Sequence, residues 1–369
     1  MTVNAMRSSL MLCLFWFGSA VLMSCGLPSA TSDSIETNSQ LERLGSIAVD
    51  DGHVELHFVT AKVGWLANGK KLSRTSDGGE TWHLVYRGEP SWDVSVRIQN
   101  LQFLNSQIGW MSDAVKGIYE TQDSGKTWRA WGMPFPDGAI YSTRIANDGQ
   151  QAWAAGVVNR APPKKYANKA LRPDRYAAIS HTVDAGKSWQ RQVIPGTLGI
   201  AGLYFVTEGE AWALGLPGLF SLDGNGNRWI KSELRKHECP AQMLLETLGS
   251  KSGIESEPTA ICFLDSKQGW LTFKNGYVAK TTDGGRTWCD LLDPRDVWHD
   301  QRWDTFFSKI YFVDSSNAWA LGSDSLYTSR DGGRSWTKIS GKAEFRDLYF
   351  LDASHGWAVA KDGIYRIGS

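Results

Sequence analysis

A four-residue apolar pattern with one variable position recurs along the chain. It reads Leu56-His57-Phe58-Val59, Leu101-Gln102-Phe103-Leu104, Leu203-Tyr204-Phe205-Val206, Ile261-Cys262-Phe263-Leu264, Ile310-Tyr311-Phe312-Val313 and Leu348-Tyr349-Phe350-Leu351. Short apolar runs of this kind, bounded by turn residues, are strands. Each is followed by a Gly-Trp or Ala-Trp pair, at Gly64-Trp65, Gly109-Trp110, Ala152-Trp153, Ala211-Trp212, Gly269-Trp270, Ala318-Trp319 and Gly356-Trp357. Seven pairs against six tetrads leave the third unit, around Arg144-Ile145, with a degenerate first strand.

A second motif closes each unit. Thr281 to Trp288 reads Thr-Thr-Asp-Gly-Gly-Arg-Thr-Trp, and intact copies stand at Thr75 to Trp82, Thr121 to Trp128, Thr182 to Trp189 and Ser329 to Trp336. A worn copy with one extra residue spans Asp223 to Trp229. The chemistry fits a hairpin turn: an Asp carboxylate accepts backbone N–H groups, glycines supply positive φ, and the indole gives the return strand something to bury. These residues resemble the Asp-box, or BNR, repeat of β-propellers. Its aspartates Asp77, Asp123, Asp184, Asp223, Asp283 and Asp331 are therefore read as structural, since near-identical active sites repeated along one chain make little sense and each carboxylate is consumed by its own turn.

Each unit thus reads as four strands with the Asp box before the fourth, which is one propeller blade. The seventh unit stops at Gly363 to Ile367, where its third strand belongs, while Leu41 to Val49 precedes the first unit without a partner. Pairing the two removes two exposed sheet edges at once. The expectation is an all-β, seven-bladed propeller of four-stranded blades over residues 41–369, its last blade closed by the N-terminal strand.

Composition narrows the partners. With 39 Lys plus Arg against 39 Asp plus Glu, no global field draws the chain to nucleic acid. Residues 1–24 read as an export signal: Arg7 precedes an apolar run from Leu10 to Met23 that is short for a membrane span. The run ends Leu22-Met23-Ser24-Cys25, which resembles a bacterial lipobox, so Cys25 is the expected lipidation site and the expected location is the cell envelope. Gly26 after that Cys implies outer-membrane sorting in a Gram-negative cell, and the thylakoid lumen side is implied if the cell is photosynthetic. Residues 25–40 are Ser/Thr/Asn-rich and read as a flexible tether. Of the remaining thiols, Cys262 and Cys289 fall on the first and last strands of one blade, ~14 Å apart and too far to bridge. Any disulfide therefore uses Cys239. No paired Cys or His spacing favours a metal, and no cofactor is expected.

Function must come from where the units differ. Loops between second and third strands open on the same face as the connections between blades, and the Asp-box turns open on the other. That first face collects a third-blade insertion at about 159–176, a second insertion at about 235–258, and the segment 293–304, beside 87–94 and 131–138. The first carries Arg160, Lys164, Lys165, Tyr166, Lys169, Arg172 and Arg175 with Asp174 alone opposing, a set suited to an acidic peptide, a phosphate or an anionic headgroup. A solvated loop is the plainer reading of those charges. The third segment sets Trp298, Arg302 and Trp303 among aspartates, a mixture that stacks on sugar rings or holds an extended peptide, or that simply satisfies itself. The neighbours His237, Glu238 and Cys239 are a weaker cluster.

A sialidase needs Arg-Ile-Pro near its first blade, and Arg144-Ile145-Ala146 lacks the Pro. Other glycosidases hold two carboxylates roughly 5 to 10 Å apart, for which Asp300 or Asp304 facing Glu238 are the candidates. From Val54 to Ile367 the rhythm of the chain resembles the photosystem II stability/assembly factor family. That resemblance implies a non-catalytic, membrane-associated propeller that holds a protein partner on a basic face while a membrane complex is assembled. The resulting expectation is a lipid-anchored scaffold bound to a membrane-complex subunit, with a carbohydrate-binding or glycan-cleaving propeller as the alternative.

Overall fold

Tetrad after tetrad, the apolar strand becomes the innermost strand of a sheet. The computed structural model describes residues 41–45, 47–49, 52–88, 97–114, 116–164, 166, 172–207, 209–223, 228–232, 257–292, 306–323, 325–339 and 343–368. Among these, 28 strands form seven four-stranded antiparallel sheets, six of them ordered as the chain runs. The first strands are Val54–Phe58, Gln99–Phe103, Gly138–Ile145, Ile200–Phe205, Pro258–Phe263, Lys309–Phe312 and Phe345–Asp352. Closure follows the expected route. Leu41–Arg43 becomes the fourth strand of the seventh sheet, with Leu41 opposite Ile367 and Arg43 opposite Tyr365.

The degenerate third unit is regular in its pairing. Its first strand runs eight residues, Gly138–Ile145. A bulge between Ile140 and Ser142 restores the register, so Arg144 still faces Trp153 and Ile145 faces Ala152. Arg144 therefore occupies the position of His57, Gln102, Tyr204, Cys262, Tyr311 and Tyr349, each opposite the Trp of its own blade.

Blades are joined by rings. The Trp of one blade stacks on the tetrad Phe of the next: Trp65 on Phe103 at 3.6 Å, Trp270 on Phe312 at 3.5 Å, and Trp357 on Phe58 at 3.7 Å between centroids. The last contact joins the seventh blade to the first. The indole N–H groups then reach the Asp-box turn of that next blade, Trp65 donating to Ser124 O, Trp270 to Gly332 O and Trp357 to Gly78 O. Burial of such large rings with their one donor satisfied is the main cohesive force between sheets. The Gly of the Gly-Trp pair is required where a Phe ring lies across it: a Cβ on Gly64 would stand 2.4 Å from the Phe58 ring.

Cys262 is buried as a free thiol, and Cys289 is half-buried. Residues 1–40, including Cys25, lie outside the described residues, as do Cys239 and the segments 233–256 and 293–305.

Candidate functional site

The Asp boxes spend their carboxylates locally. Asp77 Oδ1 accepts the Thr75 hydroxyl at 2.7 Å and the Thr81 N–H at 3.0 Å, while Gly79 N–H donates to Thr75 Oγ1 at 3.0 Å. The same web recurs at Asp123, Asp184, Asp283 and Asp331. The worn copy keeps the Arg228 N–H on Asp223 Oδ1 at 3.1 Å. Hydrogen bonds from Thr127 and Ser188 to their ionised forms hold Asp123 and Asp184 down at about 2. A carboxylate so engaged has little left with which to act as base or nucleophile.

Backbone bonds assign the two rims. Each intact box in the first blade, the fifth and the sixth is tied to the turn between the first two strands of its own blade, as in Gly78 N–H to Lys62 O, Gly284 to Lys267 and Gly332 to Ser316. Opposite, the connections between blades meet the turns between second and third strands, as in Ile98 N–H to Gly69 O and Ile140 N–H to Ala114 O. The third-blade insertion is tied to this second rim: Asn159 N–H donates to Asp137 O at 2.7 Å, and Arg160 pairs with Asp137 at 3.5 Å across exposed surface. Tyr176 and Asp137 both favour the charged form of Arg160.

Of the expected binding residues, Arg160, Lys164 and Arg172 are exposed and Tyr166 and Arg175 are half-buried. Arg175 lies 3.9 Å from Asp174, so the one acid of that stretch is engaged by its neighbour. Lys165, Lys169, Trp298, Arg302 and Trp303, and the proposed carboxylates Glu238, Asp300 and Asp304, lie outside the described residues.

Sequence reasoning missed the axis. The variable position of the tetrad forms a girdle in which five side chains, His57, Gln102, Tyr204, Cys262 and Tyr349, reach the backbone of the next blade. His57 Nε2 donates to Phe103 O at 3.0 Å, Gln102 brackets Ile145 with its amide at 2.8 and 3.1 Å, and Tyr349 donates to Phe58 O at 2.9 Å. Tyr204 accepts the Phe263 N–H at 3.0 Å, and the Cys262 thiol reaches Phe312. Because a carbonyl only accepts, His57 carries its proton on Nε2. Burial pushes its pKa down to about 4, so at neutral pH the ring is uncharged.

An ion pair between a buried acid and a half-buried lysine lies beside this girdle. Asp347, 1% exposed on its side chain, accepts Leu56 N–H at 2.7 Å through Oδ2 and the Lys309 ammonium on Oδ1. Burial opposes the charge on Lys309, but Asp347, Tyr311 and Glu55 more than offset it and raise its pKa. Burial likewise presses on Glu55, yet the His53 ring at 3.4 Å and the positive charges nearby hold its pKa below the ordinary value. Tyr349 is pushed up to about 12 by burial. The signal was present in the sequence as the one non-uniform position of an otherwise uniform tetrad, but nothing local marks that position as facing its neighbours around an axis.

Among the described residues, no group of three or more His, Cys, Asp or Glu is placed to hold a metal ion, and no helix is long and apolar enough to cross a membrane.

Comparison with known proteins agrees with the repeat pattern. The family model described as Photosynthesis system II assembly factor YCF48 matches residues 249–346. The chain is 22% identical over 283 residues to the chloroplastic photosystem II stability/assembly factor HCF136 of Oryza sativa subsp. japonica, covering 72% of this chain. It spans 64% of that relative's length. It is 22% identical over 324 residues to the photosystem II assembly lipoprotein Ycf48 of Prochlorococcus marinus, covering 85% of this chain and 81% of that protein. A solved structure, YCF48 bound to D1 peptide, superposes with a TM-score of 0.62 at 19% identity over 89% of this chain and 94% of that one.

Proposed function

We propose that this photosystem II assembly factor-like seven-bladed propeller is a non-catalytic scaffold, anchored by lipid at Cys25 on the outer side of a membrane, that holds a protein subunit of a membrane complex on its loop face. The observation that carries the reading is the division of labour between the rims. The Asp-box carboxylates of one rim are consumed in their own turns. The other rim carries the varied connections, with Arg160, Lys164 and Arg172 exposed upon it. Varied loops on a rigid ring are where recognition resides, and a basic cluster is complementary to an acidic peptide segment. The relatives' own descriptions as assembly factors and assembly lipoproteins, and a likeness to a propeller described as bound to a peptide, support a protein over a glycan as the ligand.

The test is capture from detergent-solubilised membranes with the lipidated chain, comparing wild type with a variant reversed at Lys164, Lys165, Arg172 and Arg175. The expected result is a discrete membrane protein retained at low salt, released as salt rises, and lost from the variant. Retention unchanged by the reversals overturns the assignment of the loop face. Glycan binding that collapses on Trp298→Ala and Trp303→Ala while the reversals do nothing replaces the scaffold by a carbohydrate-binding propeller.

A further inference from the structure

Beside the girdle, one residue earlier in each first strand, runs a set of caps. The N–H of the first tetrad residue faces away from its own sheet, and a side-chain oxygen of the preceding blade meets it. Asp347 Oδ2 accepts Leu56 N–H at 2.7 Å, and Ser142 Oγ accepts Leu203 N–H at 3.1 Å. Glu55 takes Leu101 N–H in the same way. Asn100 lies in a bulge and bonds Ser112 instead, and Lys309 can only donate.

The fourth and fifth blades have no oxygen to offer. Gly202 and Ala260 hold the capping position, opposite Leu214 and Thr272, as Asp347 is opposite Val359 and Ser142 opposite Ala155. The N–H groups they leave uncapped are those of Ile261 and Ile310. Across the first turn of each blade Leu264 N–H bonds Gln268 O and Val313 N–H bonds Asn317 O, so by alternation Ile261 and Ile310 turn theirs away from the second strand. Phe263, on that same side of its strand, bears this out by donating to the Tyr204 hydroxyl. Among the described residues neither N–H finds a partner, although both isoleucines are buried, and a buried donor left unmet is costly.

The missing side chains open a cavity of about 350 Å³ whose walls include Gly202, Ala260, Ile261, Lys309, Ile310 and Tyr311. Its unspent polar groups are donors. The Lys309 ammonium has more donors than the one given to Asp347, and its side chain is 36% exposed. The Tyr311 hydroxyl, unlike those of Tyr204 and Tyr349, bonds nothing among the described residues. No described Asp or Glu lines the space, and Leu203 and Leu214 add apolar wall. Asp347 already offsets the charge of Lys309, which favours a monoanion over a dianion. Asp347 and Glu55 cap with carboxylates, so this position in the ring accommodates a carboxylate oxygen.

We infer that the cavity binds a free, small monocarboxylate whose oxygens stand where Gly202 and Ala260 supply no cap, accepting Ile261 and Ile310 N–H beside the Lys309 ammonium. The apolar walls hold its alkyl part. This site is independent of the partner surface on the loop face.

The probe is butyrate, titrated into the full chain by calorimetry and ligand-observed NMR beside butyramide and inorganic phosphate. Butyrate binds the wild type and Arg160→Gln alike, and butyramide and phosphate bind at least about tenfold more weakly. Ala260→Asp puts a carboxylate of the chain's own into the fifth-blade position and weakens butyrate at least about tenfold. Independently of whether that variant folds, butyrate moves the backbone amide signals of Ile261 and Ile310 in wild-type chain isotope-labelled at isoleucine, and leaves that of Ile118 in the second blade in place. Absence of butyrate binding, equal binding of butyramide, unchanged binding by Ala260→Asp, or unmoved Ile261 and Ile310 signals overturns the site. Tighter binding of N-acetylvalylvaline than of butyrate overturns the free acid in favour of a chain end.

Discussion

The Asp-box rim and the axial girdle use one device, a polar side chain bonded to backbone, over very different reaches of chain. At the rim each box bond spans two to five residues, as from Asp77 to Thr75 and Thr81 and from Asp223 to Arg228. In the girdle His57 reaches 46 residues to Phe103, and Asp347 and Tyr349 reach 291 residues to Leu56 and Phe58. Local bonds hold a turn whether or not the ring is closed, whereas girdle bonds need two blades packed together, and those of Asp347 and Tyr349 need the last blade docked on the first. The rim therefore supplies local order and the girdle reports closure.

The sharpest way to break that comparison is to remove one acid from each. Asp347→Ala strands the Leu56 N–H in a buried site and leaves the partly exposed Lys309 ammonium without its acid, at an expected cost of about 2–3 kcal/mol in denaturant unfolding. Adding Lys309→Met recovers part of that, because the unpaired charge goes with it. Asp283→Ala loses hydrogen bonds at a turn near solvent and costs about 1–2 kcal/mol, with no rescue by any distant change. Equal costs, or a double variant no better than Asp347→Ala, end the distinction between the two regions.

Acid sharpens it next. His57 is held at about 4 when folded and returns to its ordinary value of 6.5 when unfolded, so the unfolded chain binds more protons between those values. The stabilisation from a neutral His57 is complete above about pH 6.5 and is lost as pH falls toward 4, amounting to about 2–3 kcal/mol. His57→Gln keeps a donor for Phe103 O, as Gln102 does for Ile145, but cannot titrate. Its stability should fall less than the wild type's between pH 7 and pH 4.5, measured by urea unfolding. The box aspartates Asp123 and Asp184, held at about 2, contribute in the window below about pH 4, where stability is lost as pH falls through their folded values. Parallel losses in wild type and His57→Gln over the upper window deny the girdle its part in acid sensitivity.

The same difference of reach explains what could be read in advance. The blade count and the strand order rest on motifs repeated within each unit, the closing strand on the two edges those motifs leave unpaired, and all three were legible. Even the worn third tetrad was placed by Trp153 next to it, although its bulge at Tyr141 was not foreseen. The girdle was not legible, because His57, Arg144, Tyr204 and Lys309 are scattered over 253 residues, from position 57 to position 309, and share only a register. Arg144 looked like a defect in a strand pattern and like a failed sialidase string. Its register opposite Trp153, shared with the variable positions of the other blades, emerges only once the strands are paired. For the loop face, the sequence grouped Arg160 with the 131–138 connection, and the Asp137 contact follows that grouping.

The smallest expected effect lies back at the rim. The first glycine of the box has φ of 83° at Gly78, 73° at Gly284 and 76° at Gly332, but the third and second blades place Ala185 at 57° and Ser124 at 68° in the same region. An L-residue there crowds its own carbonyl, so Ala185→Gly should stabilise the chain by about 0.5–1 kcal/mol despite the added freedom of the unfolded state, raising Tm by about 1–2 °C. Ser124→Gly gains less, because the Ser124 hydroxyl donates to Ser106 O at 2.7 Å and that bond is lost with the side chain. The reverse change is not a mirror image: a Cβ on Gly284 would stand 2.8 Å from Ser266 O, so Gly284→Ala adds a clash to the backbone strain. If Ala185→Gly lowers Tm, the contact of Ala185 with the apolar cluster of its blade outweighs backbone strain, and the rim is then held by packing as much as by its hydrogen bonds.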